Sequence, residues 1–275
     1  FFLAGLLFKT ASFPFHFWCP DVYEGAPTPI TAFLSVGPKA AGFVLFIRLF
    51  YPLFATGHDA TLYEAVSGLD WPSILALVSA ITMTLGNLAA IHQNNLKRLL
   101  AYSSIAHAGY LLMGIVSLSD LGLRSVVFYL VVYLFMNVGA FAVVAMVASA
   151  GGSEEIDSYR GLGARAPYVC VAMAIFLFSL IGLPPFAGFV GKVYLFAAVI
   201  SQKIYWLAVV AALNTVISLY YYLRIVKAMF LEKPTETIQI QVPLSSQVLL
   251  LALLVPTLGL GIYWQPLARV VSGMF

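Results

Sequence analysis

Continuous apolar runs of about 20 residues recur along the chain, without the strict in-and-out alternation of a half-buried strand. An α-helix needs about 20 residues to cross roughly 30 Å of hydrocarbon, and each backbone polar group in lipid must be satisfied within a helix or a closed barrel. Barrel strands are short and alternate, so runs this long leave helices as the solution. Composition agrees: of 275 residues, 62% are hydrophobic and 9% charged, against about 45 to 50% and about 25% in ordinary soluble domains. The expected fold is an all-α polytopic transmembrane bundle of about eight spans.

Taken in order, the expected spans are Phe1–Trp18, Ile30–Tyr51, Ser73–Ile91, Leu99–Leu118, Val126–Ala150, Tyr168–Ile200, Tyr205–Phe230 and Val248–Trp264. Two of them read as broken. Phe13-Pro14 interrupts the first, and Pro184-Pro185 with Gly182, Gly188 and Gly191 divides the sixth into half-helices. A polar, proline-rich turn is expected from Cys19 to Pro29, and a loop holding Gly57, His58, Asp59, Glu64 and Asp70 is expected outside the membrane. The extramembrane linkers are Gly151 to Pro167 and a stretch with Glu232, Lys233, Pro234 and Glu236. The chain opens on Phe1 inside an apolar run, with no initiator methionine and no basic leader, and so reads as a fragment.

Lysines and arginines separate by side. Lys97, Arg98, Arg160, Arg165 and Lys233, with Arg224 and Lys227, fall on one side, which the positive-inside rule makes cytoplasmic. Arg124, Lys203 and Arg269, with Arg48, fall on the other, where the C-terminus is expected. Arg48, Arg124, Lys203 and Arg224 lie near span ends and read as interfacial anchors. The net charge of +3 forms no stripe that could follow a phosphate backbone, which excludes nucleic acid as a partner. Cys19 and Cys170 show no metal-ligand spacing and read as small buried hydrophobes; no metal site is expected.

Three lysines inside apolar spans are the candidate functional groups: Lys9, Lys39 and Lys192. Each costs roughly 2.5 to 3.5 kcal/mol at mid-membrane on insertion scales, so it persists only where partners or water receive it. Lys9 lies near the end of a half-helix, where the dipole favours positive charge, and Lys192 near the start of one, where the dipole disfavours it. His107 in AYSSIAHAGY and His16 beside the first break are possible relay groups, since an unperturbed imidazole titrates near pH 6.5. A neutral, hydrogen-bonded packing role remains the alternative for both. Tyr102, Tyr129, Tyr133 and Asn137 read as helix-to-helix hydrogen-bonding groups, and Asp21 and Glu24 as turn residues that cap or contact a neighbouring subunit.

The block from Lys9-Thr10 through Phe15-His16-Phe17-Trp18 and on to Pro20-Asp21-Val22-Tyr23-Glu24-Gly25-Ala26-Pro27-Thr28-Pro29 resembles the first broken helix of the antiporter-like subunits of respiratory complex I, most closely the subunit N branch. Asn95 to His107, Ile181 to Lys192, and Tyr220-Tyr221-Tyr222-Leu223-Arg224 match three further family blocks. The resemblance covers essentially the whole chain.

It implies the C-terminal part of an antiporter-like inverted-repeat fold. Residues 1–52 would end the first repeat, 73–230 would form the second with its broken helix at 168–200, and 246–275 would add a C-terminal transmembrane helix. It implies that Lys9, Lys39 and Lys192 carry protons along a hydrated axis. The family pairs the first lysine with a glutamate on an earlier helix, which no part of this chain contains. The implied partners are the other membrane subunits and the lipid bilayer, in a bacterial inner membrane. No cofactor is expected in the chain, because no Gly-rich loop follows a strand and the cysteines are too few for a cluster. Quinone, flavin, iron–sulfur clusters and NADH would belong to partner subunits. A cation/proton antiporter subunit is the alternative from the same resemblance, and a non-translocating scaffold is the third reading.

Overall fold

The computed structural model describes residues 1–59, 62–66, 68, 70–234 and 243–274, with residues 57–59 as backbone only. Glu236, expected in a linker, lies outside the described residues. The elements run α1 (Phe2–Thr10), α2 (Trp18–Gly25), α3 (Thr28–Leu45), a π-helical turn (Phe46–Phe50), α4 (Tyr51–Phe54), β1 (Ala55–Asp59), β2 (Leu62–Ala65), α5 (Trp71–Ile91), α6 (Leu96–Val116) and α7 (Asp120–Ser149). After a 3-10 turn (Ile156–Tyr159) come α8 (Leu162–Arg165), α9 (Pro167–Ile181), α10 (Ala187–Ser201), α11 (Tyr205–Leu231), α12 (Leu244–Ile262) and α13 (Gln265–Ser272). Among the described residues six helical stretches are long and apolar enough to span a membrane, and α9 and α10 are shorter apolar helices.

α6 occupies the centre. It is apolar or small on every face, the pattern of a helix enclosed by others, and α2, α3, α5, α7 and α10 pack around it. Glycines allow close backbone approach between α5 and α6. A Cβ on Gly86 would stand 2.7 Å from the Ala106 nitrogen, and one on Gly109 would stand 2.7 Å from the Met83 nitrogen. Small residues at such crossings let backbones touch, which is how helices associate where lipid is as apolar as the side chains.

The two ends of the bundle differ. At one, Lys97 donates to the Ala26 carbonyl at 2.7 Å and pairs with Glu154 at 2.9 Å. Arg98 pairs with Asp21 and Glu24 at 2.7 and 2.6 Å, Arg160 with Asp157 and Glu232, and Lys227 with Glu232. Arg224 donates to the Ile91 carbonyl at 3.1 Å and to that of Gln93. At the other end Arg124 pairs with Asp120 at 2.9 Å, and a cavity places Ser201 and Gln202 beside them. Met274 lines a cavity with Tyr51, Pro52 and Tyr63 at that same end, opposite the Lys97 cluster.

Three expectations change. Cys19 to Pro29 is not simply a turn: Trp18–Gly25 is helical, with Cys19 and Tyr23 fully buried. Pro20 falls in the first turn, where its missing N–H leaves no helical bond unmade, and Asp21 and Glu24 meet Arg98 rather than capping. The loop after α4 contains a two-stranded antiparallel hairpin, so the chain is not purely helical. The hairpin is held to the α6–α7 turn by Tyr63, whose N–H donates to the Leu118 carbonyl at 3.0 Å and whose phenol reaches Asp120 at 3.3 Å. Burial, with the Asp120 charge beside it, pushes the Tyr63 phenol above its ordinary pKa. Third, the last stretch is two helices, α12 and α13, rather than one.

Replacing Gly109 by valine should lower thermal stability by ~1–3 kcal/mol, because the new atoms meet the α5 backbone. Gly5→Val, with nothing within 4 Å of its Cβ, should leave it nearly unchanged; thermal unfolding of the two purified variants checks this.

Candidate functional site

Both broken helices end their first halves in the same way. In α1 the Ser12 N–H bonds to the Leu7 carbonyl at 2.8 Å and Ala11 N–H to that of Phe8 at 3.1 Å. In α9 the Leu183 N–H bonds to the Phe178 carbonyl and Gly182 N–H to that of Ser179, both at 3.0 Å. Each is the reverse turn that closes a helix through a left-handed residue, Ala11 at φ 56° and Gly182 at φ 87°. Such an end leaves unpaired carbonyls and the negative pole of the helix dipole inside the bundle. The first break runs from the Arg124 end toward the Lys97 end, and the second runs the opposite way.

Lys192 is buried, 4% exposed, and its ammonium donates to the free Ile181 carbonyl at 2.8 Å. Although Lys192 belongs to the first turns of α10, its charge sits at the C-terminal pole of α9, so the dipole that matters is favourable. A Cβ on Gly182 would meet the Lys192 Cδ at 2.8 Å, which fixes glycine there for space as well as for φ. The amine also stands 4.5 Å from the centre of the Tyr110 ring, whose face attracts a cation. Tyr110 is locked by its hydroxyl, which donates to the Ala211 carbonyl at 3.2 Å and lies 3.1 Å from Thr215 Oγ1. A cavity of about 420 Å³ between α10 and α11 reaches Lys192, lined also by Gly182, Phe189, Phe196 and Thr215.

Lys39, 2% exposed, sits on α3 immediately after Pro38. Pro38 has no N–H, which frees the Leu34 carbonyl, and the Tyr23 hydroxyl takes that carbonyl at 3.1 Å. The Lys39 ammonium donates to the Ser104 carbonyl at 2.6 Å and to its hydroxyl at 2.5 Å. One turn along α6, His107 Nδ1 lies 2.8 Å from the Tyr129 hydroxyl, with the Tyr133 and Tyr110 rings 5.1 and 6.0 Å from its own. Ser104, His107 and Tyr110 therefore follow at three-residue steps, about 9 Å of helix rise from first to last, and Lys39 and Lys192 stand at the two ends. The buried Tyr133 hydroxyl beside this line faces Ser104 and makes no hydrogen bond of ordinary length among the described residues.

Lys9 departs from expectation. It lies on the last turn of α1, where the dipole favours it, but its side chain is exposed rather than buried. The reason is coverage: α3 packs on one side of α1, whereas Lys9 and, in part, Phe2 and Phe8 stay exposed on the rest of its surface. His16 is buried in the α1–α2 break, with the Phe13 and Phe17 rings 6.1 and 4.4 Å from its own and Nδ1 without a partner among the described residues. Asn137 ties α7 to α3 through Ser35 at 2.6 Å, whereas Tyr102 lies beside Arg98 at the bundle end. Cys19 and Cys170 are free and buried.

A second buried polar cluster was not anticipated. Asn87 donates to Asn214 at 3.1 Å, Asn214 to Thr84 at 3.0 Å, and Tyr221 to Asn87 at 2.9 Å; Ser103 bonds to Tyr222. Isolated Asn and Thr on otherwise apolar spans gave the one available signal.

Comparison with known proteins places these features in a family. The family model described as "NADH:quinone oxidoreductase/Mrp antiporter, TM" matches residues 1–218. A relative from Anaeromyxobacter sp. (strain Fw109-5), named NADH-quinone oxidoreductase subunit N, is 55% identical over 98% of this chain and 54% of its own. A relative from Sorangium cellulosum (strain So ce56), named NADH-quinone oxidoreductase subunit N 2, is 50% identical over 99% and 54%. The chain thus spans about half the length of the relatives it matches. A chain of respiratory complex I from Thermus thermophilus superimposes with TM-score 0.82 at 35% identity, covering 98% of this chain and 57% of that one. A chain of the Mrp complex from Dietzia sp. DQ12-45-1b shares the fold with TM-score 0.85 at 22% identity, over 98% and 57%.

Asn87→Leu and Asn214→Leu should each cost ~1–3 kcal/mol of stability by stranding a buried amide partner. The double variant should cost less than the sum of the two; a thermal-unfolding double-mutant cycle measures the difference.

Proposed function

Because the chain belongs to the NADH:quinone oxidoreductase/Mrp antiporter transmembrane family, we propose that it acts as a proton-translocating membrane subunit of the subunit N type within a multi-subunit NADH-quinone oxidoreductase of a bacterial inner membrane. Residues 1–52 end one repeat, 73–230 form the inverted second, and 246–275 close the bundle. The observation that carries the reading is the placement of Ser104, His107 and Tyr110 on one helix between two buried ammonium groups. Structural lysines would serve as well at the membrane surface. Here both amines are instead drawn inward and given neutral partners, which leaves each able to give up its proton without stranding a carboxylate.

In this mechanism Lys39 releases a proton to the line of hydroxyls, imidazole and water along α6. Lys192, held between the Ile181 carbonyl and the Tyr110 ring, receives it and passes it into the cavity between α10 and α11. Lys9 supplies Lys39 across the close contact of α1 and α3, where a Cβ on Gly42 would meet both Thr10 and Lys9. Its exposed face takes a carboxylate from outside these residues, and the state of that pair couples the line to redox chemistry in partner subunits. Flavin, iron–sulfur clusters, NADH and quinone belong to those subunits, and this chain holds no redox centre.

Lys39→Ala, Lys192→Ala and Lys9→Ala in the intact complex should each lower proton pumping per electron by about tenfold or more. Lys39→Arg should fail similarly, because a guanidinium keeps the charge but does not release its proton. Pumping and electron transfer measured together in vesicles decide this, and full coupling in every variant removes the reading. The fold shared with the Mrp complex supports the second reading, a cation/proton antiporter subunit, which the same vesicles would reveal as sodium-dependent proton movement.

Tyr110 positions rather than transfers in this account. Tyr110→Phe should retain pumping within about threefold, because the ring face remains, whereas Tyr110→Leu should lose about tenfold.

A further inference from the structure

We propose that the groove between α3 and α7 at the Arg124 end is a binding site for the phosphate of an anionic phospholipid, with Arg48 as its cation. The π-helical turn Phe46–Phe50 carries Arg48 outward at the point where α3 leaves the bundle. Such single-turn insertions often mark functional positions, because they re-aim the side chains that follow. Arg48 lines a cavity of about 490 Å³ whose walls are Val44, Ile47, Leu123, Val127 and Met274.

Charge identifies the occupant. The other arginine at this end close to the groove, Arg124, is matched by Asp120 at 2.9 Å. Arg48 has no carboxylate within ion-pairing distance among the described residues, and none of the residues that line the cavity carries a negative charge. A guanidinium presents a planar fork that matches a phosphate with two parallel bonds. Apart from Arg48 and the rings of Tyr51 and Tyr63 the lining is apolar, and exposed Leu49 and Leu53 lie beside it on the same helical stretch. A phosphodiester at Arg48 with an acyl chain laid along Val44, Ile47 and Val127 satisfies both parts; the Tyr51 and Tyr63 rings also line the cavity, their hydroxyls already bonded to the Ile115 carbonyl and to Asp120. A soluble anion would use the cation and leave the apolar wall without purpose.

The test is photolabelling of the purified complex in lipid nanodiscs with phosphatidylglycerol that carries a diazirine on one acyl chain, read by peptide mass spectrometry. Wild type should label the peptides around Val44–Ile47 and Leu123–Val127. Arg48→Gln should label about fivefold less there, as expected for loss of one interfacial cation, and Arg48→Lys, which keeps the charge but not the fork, should fall between wild type and Arg48→Gln. Equal labelling by a phosphatidylcholine probe, or undiminished labelling of Arg48→Gln, would reduce the groove to ordinary lipid contact and overturn the proposal. Displacement by millimolar inorganic phosphate would assign the site to a free anion. Absence of label in wild type would mean that another protein segment fills the groove. Either result also overturns the proposal.

Discussion

A buried ammonium without a carboxylate is the constraint on which the rest of the structure depends. Moving such a charge out of water is costly, and an uncompensated ion inside a protein is ordinarily removed by neutralisation or by pairing. Here Lys39 and Lys192 are received by a carbonyl and hydroxyl of Ser104 and by the Ile181 carbonyl with the Tyr110 ring. A helix that stops in the middle of a membrane leaves carbonyls free there. The broken helices are therefore not defects of packing: the α9 break creates the acceptor that Lys192 needs.

Pro38 applies the same logic more gently. By removing one N–H just before Lys39 it frees the Leu34 carbonyl, which Tyr23 then binds, so α2, α3 and α6 meet around a single ammonium. Lys97 and Arg98 fasten the outer end of that arrangement to Ala26, Glu154, Asp21 and Glu24. Central α6 thus carries ion pairs at its start and the candidate proton line at its middle. Its glycine contacts with α5 let it sit deep enough to reach both lysines.

Much of this was legible in the residues. Span number and order followed from run length, and the sixth span's break from Pro184-Pro185, because apolar length and proline act locally. The grouping of Lys97, Arg98, Arg160, Arg224 and Lys227 at one end followed from charge along the chain. What was not legible depended on tertiary approach. Helix α2 looked like a turn because proline and two acids suggest one, and Arg98, 77 residues after Asp21, makes those acids useful. The Asn87–Asn214 pair spans 127 positions and leaves no periodic trace. Exposure of Lys9 among the described residues was not legible, because an apolar run on a sequence does not say which face they cover.

Proton exchange between Lys39 and Lys192 requires a hydrogen-bonded, water-filled line through α6. Density of the complex in a lipid bilayer at a resolution that shows single waters tests it most directly. Ordered waters should link the Ser104 hydroxyl, His107, the Tyr133 hydroxyl and the Lys192 amine. A dry, close-packed gap between Ser104 and Tyr110, with each lysine bonded to protein alone, would contradict it.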